Sequence, residues 1–177
     1  DMQLAVHKFN QHRAEMNQKP IAIGVGVHTG TLILGTIGEE KRMQETVISD
    51  AVNLASRVEG LSKLYGAPVV MSKQTMDLVI NRKDFSFRFL GKIQVKGKEI
   101  PTSVYELLEG NPDRLKKLKT ETRDEFEKGL ELYYKQEFEE ASLCFRHVLN
   151  NNPKDLAATL YRERAAGFIG HEKPEGW

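Results

Sequence analysis

Apolar positions along this chain change their period several times, and each change predicts an element. Ala5, Phe9, His12 and Met16 recur at helical spacing within residues 2–16, a helix that Pro20 ends. Residues 21–27 then alternate large apolar side chains with Ala22, Gly24 and Gly26. That pattern predicts a strand packed so closely that only glycine fits at 24 and 26. A second strand at 31–34 is expected to pair back, followed by a charged, turn-rich tip at 35–42 and a return strand at 43–49. Asp50 is expected to cap a long helix that buries a stripe of Val52, Ala55, Val58 and Leu61, and Gly66 to end it as a left-handed residue. Residues 68–71 form a short strand, Ser72 caps a helix to about Ile80, and 85–91, 92–95 and 101–108 are strands. The last two are joined by the turn Lys96-Gly97-Lys98.

Beyond Leu108 the composition shifts. Glu109-Gly110-Asn111-Pro112-Asp113 and the basic run from Arg114 predict a polar linker or a solvated helix face. Phe126, Leu130 and Tyr133 then line one helix, and Phe138, Ala141, Phe145 and Leu149 line the next. Asn152-Pro153 breaks the pattern before Leu156, Ala157, Leu160 and Tyr161 begin a third helix. The fragment from Tyr133 through Phe138 to Ala141, followed by Phe145 and Pro153, resembles one tetratricopeptide repeat with a turn one residue tighter. A single repeat leaves a face uncovered, so this extension is expected to dock on the preceding body or on a second subunit. The expected organisation is 1–109, a linker at 110–122, and a helical extension at 123–177.

The 177 residues are 40% hydrophobic and 29% charged, with a formal net charge of +1. Such a balance gives no reason to expect nucleic acid as a partner. No apolar run approaches the roughly 18 residues of a membrane span, and the polar first twenty residues are unlike a signal peptide. The single cysteine, Cys144, excludes an internal disulfide and suits a reducing compartment, so a cytoplasmic location is expected. Ala141, Phe145 and Val148 beside it point to a buried small hydrophobe rather than a nucleophile.

Candidate chemistry concentrates on the long helix. Asn53 and Arg57 stand four residues apart and share one face. A helix buried on its other face can hold an amide and a guanidinium rigidly toward a phosphorylated ligand. His28 has no second His or Cys at ligand spacing, which favours a hydrogen-bonded structural histidine over a metal ligand.

These residues belong to an ordered set: Gly24, Gly26, His28 and Gly30; then Gly35, Gly38 and Arg42; then Asp50-Ala51-Val52-Asn53-Leu54-Ala55-Ser56-Arg57; and near the end Val95-Lys96-Gly97. The set resembles the class III nucleotidyl cyclase catalytic domain, the family of adenylyl and guanylyl cyclases, over about residues 4–108. The resemblance implies an α/β (α+β) fold, the ferredoxin-like cyclase sandwich, followed here by the helical extension. It implies that Asn53 orients the ribose and that Arg57 stabilises charge at the α-phosphate. Lys96 would contact the terminal phosphates. Arg42 is a weaker candidate for touching substrate or partner. Thr46 occupies the base-selecting position, where adenine-selective members carry Asp or Thr, so ATP is expected over GTP. The implied reaction makes 3′,5′-cyclic AMP and pyrophosphate from ATP with Mg²⁺ or Mn²⁺, at the interface of a head-to-tail homodimer of catalytic domains.

Two departures stand out. The family's two metal-binding aspartates, and its adenine-recognising lysine, lie before the first helix seen here. The metal ligands are therefore expected upstream of Asp1, and the 177-residue chain alone is expected to be inactive. Ser49 replaces the family's usual glycine before the helix. A guanylyl cyclase and a non-catalytic cyclase-like scaffold are the alternatives.

Overall fold

The computed structural model describes residues 2–37, 44–94 and 101–170. The elements run α1 (Met2–Glu15), β1 (Val25–Val27), β2 (Ile33–Ile37), β3 (Gln44–Ile48), α2 (Asp50–Tyr65), β4 (Val69–Ser72), α3 (Lys73–Asp77), β5 (Phe87–Ile93), β6 (Thr102–Leu107), α4 (Asp113–Glu121), α5 (Arg123–Tyr134), α6 (Phe138–Asn151) and α7 (Leu156–Phe168). The fold is mixed α/β. One four-stranded sheet has the order β1-β4-β6-β5, in which β1 and β4 are parallel and the other pairs antiparallel. Strands β2 and β3 form a separate antiparallel hairpin. The second strand therefore pairs with the return strand, Ile33 opposite Ile48, and not with β1 as expected.

Gly24 and Gly26 are where α2 lies against β1. A Cβ at Gly26 would stand 2.2 Å from the Glu59 backbone nitrogen, and one at Gly24 1.9 Å from the Ser62 hydroxyl. The helix buries Leu54, Val58, Ser62 and Tyr65, an i, i+3/i+4 line that shares only Val58 with the expected stripe. Val52 is 47% exposed, and Ala55 and Leu61 are half-buried. Close contact with the helix backbone at Gly26 and with the Ser62 side chain at Gly24 sets the small Ala55–Ser62 side toward β1 and leaves Val52 outward.

Helix α1 behaves differently from its apolar pattern. None of its residues is buried, and Phe9 and Met16 are half exposed. Its inner face is Gln3, Val6, Asn10 and Arg13, and it is held by hydrogen bonds rather than apolar burial. Asn10 donates to the Ile21 carbonyl at 2.7 Å and accepts from its N–H at 2.8 Å, while Gln3 donates to Ile23 O at 2.9 Å.

Ser72 caps α3 as expected, but that helix ends at Asp77 rather than near Ile80. Strand β5 is continuous where two strands were expected. Phe89 pairs with Tyr105 and Gly91 with Val104, which leaves Leu90 as the extra residue of a bulge with Gly91 at φ +124. The turn expected at Lys96-Gly97-Lys98 lies outside the described residues. The expected polar linker contains α4, and Lys119 of its basic run is buried.

Helices α5, α6 and α7 pack on the same core as the sheet. Leu54, Val58, Tyr65, Leu90 and Val104 are continuous with Phe126, Leu130, Tyr133, Phe145 and Tyr161. Tyr161 is central: its ring stacks on Phe145 at 5.7 Å and on Tyr65 at 6.1 Å, and meets Tyr133 edge-on at 5.4 Å. Cys144 is buried in α6. Burial, then the hydrogen bond and charge of Glu125, push its thiol up to about 11, so it stays protonated and unreactive at neutral pH.

Two charge pairs lie inside this core. Arg88 of β5 donates to Asp155 at 2.7 Å, with both side chains at 0% exposure, and its guanidinium lies 3.7 Å from the centre of the Phe126 ring. Glu106 of β6, the strand partner of Arg88, accepts from Lys119 of α4. Helix α5 also covers the outer edge of β5. The Phe89 N–H donates to Glu127 at 2.9 Å and the Lys92 N–H to the Tyr134 hydroxyl at 2.8 Å, while the Tyr161 hydroxyl donates to the Leu90 carbonyl at 2.8 Å.

Candidate active site

The candidate residues are organised by α2. Its cap is Ser49, with extended backbone (φ −166, ψ 139), whose hydroxyl accepts from the Ala51 N–H at 3.0 Å. Asp50, expected as the cap, is instead the first helical residue, where its charge favours the helix N-terminus. The serine that departs from the family's glycine does a second job. Its hydroxyl donates to the Thr31 carbonyl at 2.6 Å and so fastens the helix start to the loop after β1. Gly30 of that loop leaves room for Ala51, because a Cβ there would stand 2.8 Å from the Ala51 Cβ.

At the other end, Gly66 is left-handed (φ 60, ψ 37), as expected, and its N–H donates to the Ser62 carbonyl. Between these ends Asn53 and Arg57 are both exposed, on the side away from buried Leu54 and Val58. Four residues of helix separate them by about 6 Å of rise. Among the described residues neither side chain forms a hydrogen bond or an ion pair. An amide and a guanidinium are thus held on one rigid rod and left available to a ligand or a second chain.

The other candidates are placed less completely. Thr46 lies in β3 opposite Gly35, in the hairpin that leads directly into Ser49 and α2. Lys96 and Arg42 lie outside the described residues. His28 is hydrogen-bonded through Nδ1 to the Ser72 hydroxyl at 2.8 Å, which ties the end of β1 to the start of α3. Among the described residues there is no group of three His, Cys, Asp or Glu able to hold a metal ion, so the residues in hand do not by themselves fit the divalent ions of the family. Nor, among them, is any helix long and apolar enough to cross a membrane. A cleft of about 710 Å³ between α1 and the second half of α2 is lined by His7, Ile21, Ile23, Lys63 and Pro68, and does not include Asn53 or Arg57.

Residues 1–109 match the family model described as the adenylate and guanylate cyclase catalytic domain. The chain belongs to this cyclase family. Among its relatives, the "Adenylate cyclase, terminal-differentiation specific" of Dictyostelium discoideum is 34% identical over 145 residues, 81% of this chain and 7% of that protein. The adenylate cyclase of Anabaena cylindrica is 40% identical over 111 residues, 60% of this chain and 22% of that protein. The chain therefore spans under a quarter of the length of each. The Dictyostelium match is longer than the 109 residues of the family model, so it runs on into the helical extension. A crystal structure of the adenylyl cyclase CyaB from P. aeruginosa is 34% identical, with a TM-score of 0.44 over 55% of this chain and 47% of that one.

Sequence reasoning missed the residues that hold α2 from behind. Lys119 reads as one cation in a basic run, and nothing local signals that it is buried against Glu106, 13 positions away, and against the end of α2. Tyr65 carried a weak signal, since it continues the Leu54–Val58 line two turns further on, past Ser62.

Proposed function

We propose that this cyclase-family chain is the Asn/Arg-bearing part of an adenylyl cyclase, converting ATP to 3′,5′-cyclic AMP and pyrophosphate where two catalytic domains pair head to tail. Residues 1–109 form the catalytic portion, 110–122 the connection and 123–177 a helical extension similar to a tetratricopeptide unit. The observation that carries this reading is the pair Asn53 and Arg57, exposed one turn apart on a helix fastened at both ends.

In the reaction the ribose 3′ oxygen attacks the α-phosphorus, loses its proton, and displaces pyrophosphate. Asn53 binds the ribose so that the oxygen stands in line with the leaving group. Arg57 places a permanent positive charge with paired donors at the α-phosphate, where negative charge builds up. Lys96 neutralises the terminal phosphates that depart, and Thr46 meets the purine edge with a hydroxyl able to donate or accept. The divalent ions that the family uses would need ligands other than the described residues and would add charge stabilisation at the phosphates. Adenylate cyclase relatives support ATP as the substrate.

Arg57→Ala in the full-length protein tests this. Cyclic AMP formation is expected to fall by about 10²–10³, mainly in kcat, by analogy with the loss of other preorganised donors. The native enzyme is expected to use ATP in preference to GTP. Unchanged cyclic AMP output from the variant would remove Arg57 from the mechanism.

A further inference from the structure

The end of α2 that points away from Asn53 is held by residues of the C-terminal segment. The Lys119 ammonium, on α4, has three donors, and all three are used: the Gly66 carbonyl at 3.0 Å, the Asn111 side-chain oxygen at 3.1 Å, and Glu106 of β6. Gly66 is the C-terminal cap of α2, where carbonyls lack helical partners and a cation is favoured by the helix dipole. Immediately before it, on the buried face, the Tyr65 hydroxyl lies 3.3 Å from that of Tyr161 on α7, with the rings stacked 8° from parallel. Leu156, the first residue of α7, lies directly over Gly66. No part of the cyclase reaction needs these groups near substrate, and Lys119 is 2% exposed.

We propose that Lys119 of the connection, supported by Tyr161 of the helical extension, is a positioning residue for the catalytic helix, and that the segment following the cyclase portion sets the position of Asn53 and Arg57. The inference rests on the reading of those two residues given above. Without the ties at its last turn the helix keeps its packing on β1 around Gly26 but can tilt about that contact. A tilt that shifts the last turn also shifts Arg57, two turns before Tyr65, relative to an α-phosphate held by another protomer. Misplacement on the scale of 1 Å is enough to slow a positioned reaction by up to about a hundredfold. Lys119 fixes the far end through the helix backbone itself, so it acts on the whole rod rather than on one side chain. The similarity of the Dictyostelium cyclase past residue 109 fits an extension that serves the catalytic portion.

The test is the paired substitution Glu106→Met with Lys119→Met in the full-length enzyme. It removes the tie to Gly66 without leaving one buried charge alone, and Arg88 and Asp155 stay mutually paired. The expected result is a melting temperature close to native, a KM for ATP within about twofold, and kcat lowered about tenfold. That loss should shrink in an Arg57→Ala background, because a helix without its guanidinium has less to misplace. Native kcat in the folded variant overturns the proposal, and so does an undiminished loss beside Arg57→Ala. If the double variant does not fold, Tyr65→Phe removes only the hydroxyl facing Tyr161. A smaller fall in kcat at constant KM is then expected, and native kcat again overturns the proposal. Arg57→Ala measured alone keeps the two ideas apart: if it is silent, the catalytic reading of α2 has failed, whatever Lys119 does.

Discussion

Glycine has opposite meanings in the strand beneath α2 and within α2 itself. At Gly26 of β1 the helix backbone fills the space a side chain would need, with Glu59 N 2.2 Å and Glu59 Cα 2.5 Å from an added Cβ. Neither atom can move without shifting the helix, so Gly26→Ala is expected to cost more than about 3 kcal/mol, at the level of severe overpacking. At Gly60, inside α2, an added Cβ meets nothing within 4 Å. Gly60→Ala is therefore expected to stabilise the protein by roughly 0.5–1 kcal/mol through helix propensity. Urea denaturation of the two variants, read at matched m-values, checks both signs. Local stereochemistry of this kind was legible in the sequence: Gly24, Gly26, Gly66 and the Ser72 cap each do what their residue type predicts. Ser49 was not, because Asp50 beside it is an equally good capping residue by type, and only the extended backbone at Ser49 decides between them.

Between elements, buried charge does the joining. Asp155 caps α7, accepting from the Ala158 N–H at 3.0 Å, and at the same time receives Arg88 from the sheet. Burial pushes its carboxyl up, but the charge and hydrogen bond of Arg88 and the Ala158 N–H outweigh burial and hold it below the usual carboxylate range. With the folded value below the unfolded one, acid protonates the unfolded chain first. The stability this pair contributes is complete above the ordinary aspartate range and is lost as pH falls through and below it. Asp155→Ala is expected to cost about 3–5 kcal/mol at neutral pH, because it leaves Arg88 charged and buried. Thermal melts from pH 7 down to pH 3 should show a steeper acid decline for the native chain than for Asp155→Asn. The partners stand 67 positions apart. Nothing near Arg88 or Lys119 tells them from solvated cations, which is why Lys119, in the run expected as a linker or a solvated helix face, was not marked as buried. The strand break expected at Gly91 failed for a related reason. A glycine inside a strand pattern marks a bulge as readily as an end, and tertiary contacts from Tyr134 and Tyr161 decide which.

At the scale of the whole molecule, one core serves the cyclase portion and the helical extension. The helical faces of α5 and α6 were legible because Phe126, Leu130, Phe138 and Phe145 repeat at helical spacing and are buried. Their docking on the preceding body was expected only as one of two choices, because the choice depends on Tyr65, Leu90 and Val104 arriving together from three elements. Of the candidate site, Asn53 and Arg57 could be read because a single helix fixes their separation, whereas no periodicity relates Thr46 or Lys96 to them. The helix α5 laid along β5 carries a further consequence. Without Glu127 and Tyr134 the outermost strand keeps two outward N–H groups without acceptors, a template on which another copy can zip up its own backbone. A chain cut after Glu109 is therefore expected to come off a sizing column as polymer or be lost to the pellet, while the 177-residue chain elutes as a small discrete species. The helices that follow the cyclase portion would then double as its solubility tag, guarding it against self-propagating sheet growth.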